Sequence, residues 1–443
     1  MTHHPRERRS GATRRDFLKR SGAIALGTGG AASLLSACGS SSSGGSSSSG
    51  GSSGSGASGG GGTTTGKGPG GLPLARPNRP VTLPIYADNK PIASGLKPET
   101  GGTFTVFNYF DYLDKQVLKD FGKKYGVNVE LSTFDGIDQG IAKLVSGSVR
   151  ADVTEMTPDK LDEVVAGKLL APINHSYIPN LRENVLPYFR SPFYDVGARY
   201  TVPYTMYTTG IVWRADKVKE DIPSMSNPWD IFWRSQAYKG YVGVLDEPRE
   251  AIALALLHRG ITDINTEDPK LITQATKDLE QLNSICNVKV NETAYQDIPQ
   301  GKSWLHHGWS GDPILAVNYY LPKGFDRKLI RYWHAPNGKG PIQNDCWGVV
   351  KGTQKPVLAH LWLNYILDKK VGYDNFVNYT GYQPPLTSVT PDSLVAKGII
   401  PPTLKSAVIT ESDFARKSLQ EVTLTTKGLQ LYQNAYSQFI SGA

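Results

Sequence analysis

The stretch TFTVFNYFDYLDK, residues 103–115, is where the predicted fold begins. Its first half has the composition of a strand, and its second half crowds Asp111 between Tyr109, Phe110 and Tyr112. Ligands of open α/β sheets bind beyond the carboxyl ends of the strands. We therefore interpret the stretch as a sheet strand whose end forms one wall of a binding site.

Strand and helix patterns alternate after this stretch, which predicts an α/β protein with open sheets. The predicted elements are a helix at 115–126, a strand at 127–134, a helix at 136–147, a strand at 151–157 and a helix at 158–168. A long strand at 199–216 is expected to cross between lobes, and a buried strand runs into an apolar helix at 240–260. The roughly 340 residues from Thr103 onwards suit two lobes better than one core. Two lobes leave a cleft between them, which is the preferred place for a small-molecule site.

The first 37 residues are predicted to be a signal peptide. TRRDFLK at 13–19 resembles the twin-arginine export motif, and LLSAC at 34–38 resembles a lipoprotein box. Cleavage before Cys38 and acylation of its thiol would anchor the protein to a membrane. An ordinary cleaved secretory peptide is the alternative. Residues 38–66 are then a lipidated cysteine with a flexible Gly/Ser tether, and residues 67–101 an extended, proline-rich lead-in.

The charge and cysteine content exclude some classes of protein. Residues 1–37 carry a net charge of +5 out of the formal +8, so the remaining chain keeps +3. No basic stripe interleaved with aromatic residues is left, which argues against nucleic acid as a partner. Beyond Cys38 the chain has Cys286 and Cys346, and whether these two pair is left open.

Two motifs suggest other chemistry. Adjacent His306 and His307 cannot both ligate one ion from a strand, so we expect a pair in a solvent-facing loop and no metal site. Tyr319 and Tyr320 are similar to the tyrosine pairs of ferric-ion binders, which keeps iron as an alternative ligand. No nucleophile elbow, metal spacing or cofactor fingerprint is found, so neither a cofactor nor an enzyme is expected.

Residues 102–443 resemble the spermidine/putrescine-binding proteins of ABC transporters. Seven short motifs occur in the family's order. They are the aromatic-x-acid-aromatic element at 109–112, KYGVNVELSTF, YTVPY followed by GIVW, YKGYVGVLDEPREAI, GWSGD, the segment at Asp345, and TGYQPP. The resemblance implies a two-lobed periplasmic-binding-protein-like type II fold with a ligand cleft between the lobes. It implies lobe 1 at 102–212 plus 346–385, and lobe 2 at 213–345 plus 386–443.

The resemblance also implies a set of ligand-binding residues. Together with Asp111 of the opening stretch, they are Tyr109, Tyr112, Thr157, Glu247, Glu250, Trp309, Asp345 and Tyr382. The chain departs from the family at Gln343 and Asp159, where aromatic residues are usual. Such a loss of aromatic wall and gain of a carboxylate leave the identity of the ligand open.

The residue types fit a polyamine, whose methylenes need an apolar wall and whose ammonium groups need carboxylates. Most of these residues could also have a purely structural role. Glu247 and Glu250 would stabilise the start of a helix, Asp345 could bind backbone in a turn, and Tyr382 could simply pack. Trp309 is expected in a glycine-rich loop.

The sequence thus predicts an exported, monomeric lipoprotein on the outer face of the cytoplasmic membrane or in the periplasm. We expect it to capture putrescine, spermidine or a related organic cation and to hand it to ABC-transporter permease subunits. A binder of another solute such as ferric iron and an exported enzyme are the alternatives. An anion binder would need basic residues at the cleft, where the matched positions are acidic and aromatic.

Overall fold

A computed structural model describes residues 66–414 and 419–442. The expected signal peptide, Cys38 and the tether as far as residue 65 lie outside the described residues. None of the described helices is long and apolar enough to cross a membrane.

Within the described residues, ten strands form one mixed sheet in the order β2-β1-β3-β10-β5-β8-β6-β7, with β4 on β10 and β9 on β5. In chain order they are β1 Thr103–Tyr109, β2 Asn128–Phe134, β3 Val153–Met156, β4 Leu170–Ala171, β5 Thr201–Arg214, β6 Val242–Val244, β7 Lys289–Val290, β8 Leu305–Trp309, β9 Ile330–Trp333 and β10 Ile342–Val350. The strands β1, β2 and β3 are parallel, whereas β10 is antiparallel to β3 and to β5.

Most of the helices connect the strands, and the last one ends the described chain. They are α1 Lys115–Tyr125, α2 Ile137–Val145, α3 Leu161–Ala166, α4 Pro179–Glu183, α5 Pro248–His258, α6 Pro269–Cys286, α7 Ala294–Asp297, α8 Gly311–Leu315, α9 Pro356–Ile366, α10 Lys369–Asn375, α11 Pro391–Ala396, α12 Glu411–Phe414 and α13 Thr426–Ser441. The predicted α/β class is therefore confirmed.

Helix α1 shows how the opening stretch leads into the fold. Asp114 caps its first turn, and Gly126 ends it in the left-handed conformation at φ 69°. Val117 and Phe121 are buried on its inner face, where the Phe121 ring lies 5.1 Å from that of Trp362. The helix thereby fixes the direction in which β1 presents its carboxyl end.

Strand β5 is the longest element of the sheet and joins its two parts. Its first residues pair with β10 through Thr208, and its last residues pair with β8 and β9 from Thr209 onwards. Nearly every residue of the strand is buried. The predicted lobe boundaries stay a prediction, and the large hydrophobic cluster around Phe104 also contains Leu394 and Leu404.

The expectation that the two histidines lie in a solvent-facing loop was wrong. His306 and His307 lie in β8 and both are fully buried. Burial lowers the pKa of His306 to about 4 and that of His307 to about 3, so both rings are neutral. The described residues contain no group of three or more His, Cys, Asp or Glu side chains arranged for a metal ion. Cys286 and Cys346 are buried free thiols.

The lead-in is extended, and hydrogen bonds join it to the rest of the described chain. Val81 N donates to Phe193 O at 2.8 Å, and the Asn89 side chain donates to Leu170 O at 2.8 Å. The Glu99 carboxylate accepts from the backbone N–H groups of Val357 and Leu358, at 3.1 and 2.9 Å. Glu99 thus caps helix α9 from a distant part of the chain, because the residue at the N-cap itself makes no side-chain cap bond.

We expect Glu99→Ala to lower the free energy of unfolding by about 1–2 kcal/mol, since two N–H groups of α9 lose their acceptor. Denaturant unfolding measures the change. Lys97→Ala, an exposed residue of the same segment, is the matched control and should leave stability unchanged. Equal stability of both variants would show that the lead-in does not cap the helix.

Candidate functional site

The first part of the site is built around Asp345 of β10. Its register partner is Thr205 of β5, and Thr205 Oγ1 donates to Asp345 Oδ2 at 3.0 Å. Tyr112, just beyond β1, donates to the same oxygen at 2.7 Å, and Tyr207 OH lies 3.5 Å from Oδ1. Asp345 is 5% exposed, and burial raises its pKa to about 6 despite these donors. A carboxylate taken out of water is thus held in place by hydroxyl groups and has no basic partner among them.

The second part is built around Glu250 in the first turn of α5. Thr209 Oγ1 and Trp309 Nε1 both donate to Glu250 Oε1, at 2.7 and 2.9 Å. Its other oxygen, Oε2, is buried and has no hydrogen-bond partner in the described part of the chain. Glu250 is 3% exposed, and burial raises its pKa. A buried oxygen with an unused acceptor position is costly unless a donor reaches it.

Glu247 has the structural role that the sequence left open. It is the N-cap of α5, and its carboxylate accepts from Glu250 N at 2.9 Å. Burial, and after it the charge of Glu250, raises the pKa of Glu247 to about 7. Both acids therefore belong to the helix start, while of the two only Glu250 has a fully buried oxygen that lacks a partner within the described residues.

A row of aromatic rings joins the two acidic parts. Ring centroids are 6.2 Å apart for Tyr109 and Tyr112, 5.5 Å for Tyr112 and Tyr382, 5.7 Å for Tyr382 and Tyr207, and 6.0 Å for Tyr207 and Trp309. Trp309 is the last residue of β8 and does not lie in a loop, which corrects that expectation. The rings form a continuous apolar surface between Asp345 and Glu250.

Asp312 accepts hydrogen bonds from two residues of this row. Tyr382 OH donates to its Oδ1 at 3.3 Å, and Trp309 N donates to its Oδ2 at 3.0 Å. Burial raises the pKa of Asp312 to about 8. The neighbouring Gly311 is required by close packing, since a Cβ there would lie 2.8 Å from the Tyr382 ring.

The predicted residues do not all come together. Tyr109, Tyr112, Glu247, Glu250, Trp309, Asp345 and Tyr382 share one region by the contacts above. Asp111 is exposed in the left-handed conformation at φ 59°, and its carboxylate accepts from the Tyr379 hydroxyl. Thr157 follows the register pair Met156 and Cys346, so it lies beside Asp345 at the edge of this region, and its Oγ1 is buried with no partner among the described residues.

Sequence reasoning missed several residues. Tyr207 is one, and the charges of Asp345 and Glu250 act on it after burial to raise its pKa well above the usual value. Glu155 of β3, which is fully buried, is another. Glu421 is a third. Its N–H donates to Gln343 Oε1 at 3.0 Å, and its buried Oε1 has no hydrogen-bond partner among the described residues. An acid inside a strand of buried residues is a signal that could have singled out Glu155.

The electrostatics of the region are strongly one-sided. The pKa values of its acids are raised first by burial and then, for Glu155, Asp345 and Glu421, by neighbouring carboxylates. Arg249, buried beside them, partly offsets the effect on Glu421. Such a site can hold a positively charged group with N–H donors between carboxylates and an apolar portion against the rings. The Tyr319 hydroxyl is used otherwise, since it donates to Val377 O at 2.6 Å.

The raised pKa of Asp345 makes stability depend on pH. An aspartate in the unfolded chain has a pKa of about 3.9. As pH rises from about 4 through about 6, the unfolded chain loses this proton before the folded protein does, so the free energy of unfolding falls. We expect Asp345→Asn, which cannot ionise, to gain stability relative to wild type by on the order of 2–3 kcal/mol over this interval.

Thermal unfolding of both proteins from about pH 4 to 7 measures this difference, and the comparison cancels the titration of groups that do not interact with Asp345. A difference that is constant with pH would show that Asp345 keeps an ordinary pKa.

Comparisons with known proteins show the family of this chain. A family model described as bacterial extracellular solute-binding protein matches residues 116–402. The chain is 25% identical over 288 residues to the putrescine/agmatine-binding protein of Pseudomonas aeruginosa, which is 62% of this chain and 76% of that protein.

Solved structures show the same fold. The spermidine/putrescine ABC transporter substrate-binding protein PotD of Streptococcus pneumoniae superimposes with a TM-score of 0.60 at 22% identity, over 77% of this chain and 99% of that one. The TpPotD lipoprotein of Treponema pallidum gives 0.62 at 19% identity, over 76% and 99%. The predicted two-lobed periplasmic-binding-protein-like fold is confirmed.

Proposed function

This chain belongs to the family of bacterial extracellular solute-binding proteins, and from that membership we propose that it captures a polyamine or a related organic cation for import by an ABC transporter. The observation that carries the proposal is the pair of buried carboxylates, Asp345 and Glu250, joined by a row of aromatic rings. Two cationic ends of one guest would meet the acids, and the methylenes between them would lie against the rings.

The names of relatives support the same class of ligand. The P. aeruginosa relative is a putrescine/agmatine-binding protein, and the S. pneumoniae structure is of a spermidine/putrescine-binding protein. In this proposal the guest bridges the two lobes and shifts the protein towards its closed form. Membrane permease subunits of the transporter then recognise the closed form of a monomeric binding protein.

We expect Asp345→Asn and Glu250→Gln each to weaken the binding of putrescine or spermidine about tenfold or more, because each removes a charged acceptor. Calorimetric titration of the purified protein measures the affinity. Asp221→Asn is the matched control, because Asp221 is an exposed acid that is not among the residues of the site. This variant should bind as wild type does.

A thermal-shift panel defines the ligand class. It compares putrescine, spermidine and spermine with amino acids, ferric iron and phosphate. Stabilisation by iron or phosphate and not by any amine would contradict the proposal.

We also propose that the protein is exported and anchored through an acylated Cys38. Cys38→Ser should move the protein from the membrane fraction to the soluble fraction of cells, because the acyl chains hold it there. Ser40→Ala is the control. A membrane-bound Cys38→Ser protein would contradict this anchor.

A further inference from the structure

Glu155 stands out among the buried polar groups of the described chain. It is 0% exposed, and neither of its carboxylate oxygens has a hydrogen-bond partner among the described residues. Asp345 and Glu250, by contrast, each accept from at least two donors. A buried carboxyl with no partner destabilises the folded protein, and such a group calls for an explanation.

The sheet places Glu155 at the site and not in a remote core. Met156 and Glu155 of β3 lie opposite Cys346 and Trp347 of β10, so Thr157 and Asp345 come next on the two strands. Side chains two residues apart in a strand share a face, which puts Glu155 and Thr157 on the same side. Thr157 Oγ1 is likewise buried without a partner in the described chain.

The neighbouring strand adds another polar group. Phe107 of β1 is the register partner of Thr154, so Asn108 lies beside Glu155 in the parallel pair β1–β3. Asn108 is fully buried, and its Nδ2 has no partner within the described residues. Three side chains at one end of the site thus have unused hydrogen-bonding capacity, and one of them is a carboxyl group.

We propose that Glu155 is a further cation-binding residue of this site, which takes an N–H-bearing ammonium or guanidinium end of the guest beside Asp345. The inference rests on the proposed amine-binding function and adds a specificity-determining residue to it. Guests with several N–H donors on their cationic end are favoured, because Glu155 offers acceptors that nothing else in the described protein uses. Quaternary ammonium guests, which lack N–H donors, gain only charge attraction from this residue and no hydrogen bond.

The surroundings of Glu155 make its occupancy sensitive to protons. The charged and titratable groups that face it are Asp345 on β10, Asp159 beyond β3, Tyr109 on β1 and Tyr204 on β5. Burial and then the charges of Asp345 and Asp159 raise its pKa well above the usual value. Burial therefore favours the protonated carboxyl in the absence of a guest, whereas a bound cation favours the ionised form and the release of a proton to the solvent.

Calorimetric titration of putrescine in two buffers of different ionisation enthalpy tests this assignment. Wild type should release more protons per bound guest than Glu155→Gln does. Glu155→Gln should also bind putrescine about tenfold more weakly or worse. Glu130→Gln, an exposed glutamate on β2 of the same sheet, controls for the loss of a distant charge and should match wild type in both measurements.

Two further measurements keep the test decisive. Glu155→Met carries no acceptor on a side chain of similar length, and it should weaken binding in the same direction if Glu155→Gln folds poorly. The bis-quaternary (hexamethyl) derivative of putrescine is a dication without N–H donors, so Glu155→Gln should weaken its binding less than that of putrescine.

The outcomes separate the two proposals. Wild-type affinity and wild-type proton release in Glu155→Gln would overturn the role of Glu155 while leaving amine binding in place. Failure of the wild-type protein to bind any amine would overturn both. Weaker binding of putrescine with reduced proton release, and a smaller loss for the bis-quaternary compound, would establish the role of Glu155.

Discussion

The site depends on hydrogen bonds that one face of strand β5 donates to two buried carboxyl groups. Thr205 and Tyr207 reach Asp345, and Thr209 reaches Glu250. Residues two apart in a strand share a face, so a single straight element sets the spacing of the two acids. Because β5 also pairs with strands from both parts of the sheet, the geometry of the site is tied to the joint between them. A shift of β5 would disturb both acids at once.

The excess of carboxyl groups explains why the protonation of such a site can change when a ligand binds. Without a cation, burial favours protonated acids, and the region is held by hydroxyl donors such as Tyr112 on Asp345. A cation that reaches the unpartnered oxygens of Glu250 and Glu421 would favour the ionised forms instead. The positive charge of the guest then balances the negative charge of the ionised carboxylates, so ligand binding is linked to protonation. A neutral solute could not do this.

Sequence patterns predicted the elements well and the site in part. The strand and helix after Thr103 follow from alternation and from the Gly126 stop, which are local signals. Asp345 and Trp309 were found because the resemblance to a known family matches them to ligand-binding positions. Tyr207 and Glu155 were missed, since each lies inside a strand and the partners that give it meaning, such as Asp345, are far away in the chain. His306 and His307 were misplaced because polarity suggested a surface that the buried sheet overrides.

The position of β10 has a consequence for how the protein folds. This strand lies between β3 and β5, although it follows them in the chain by a long interval, 140 residues for the pair Thr205 and Asp345. The middle of the sheet therefore stays incomplete until Ile342–Val350 has been synthesised. Contacts of such long range impose a large loop-closure entropy and slow folding. A nascent chain would expose the edges of β3 and β5 during that wait, which makes it dependent on chaperones and prone to aggregation when synthesis stalls.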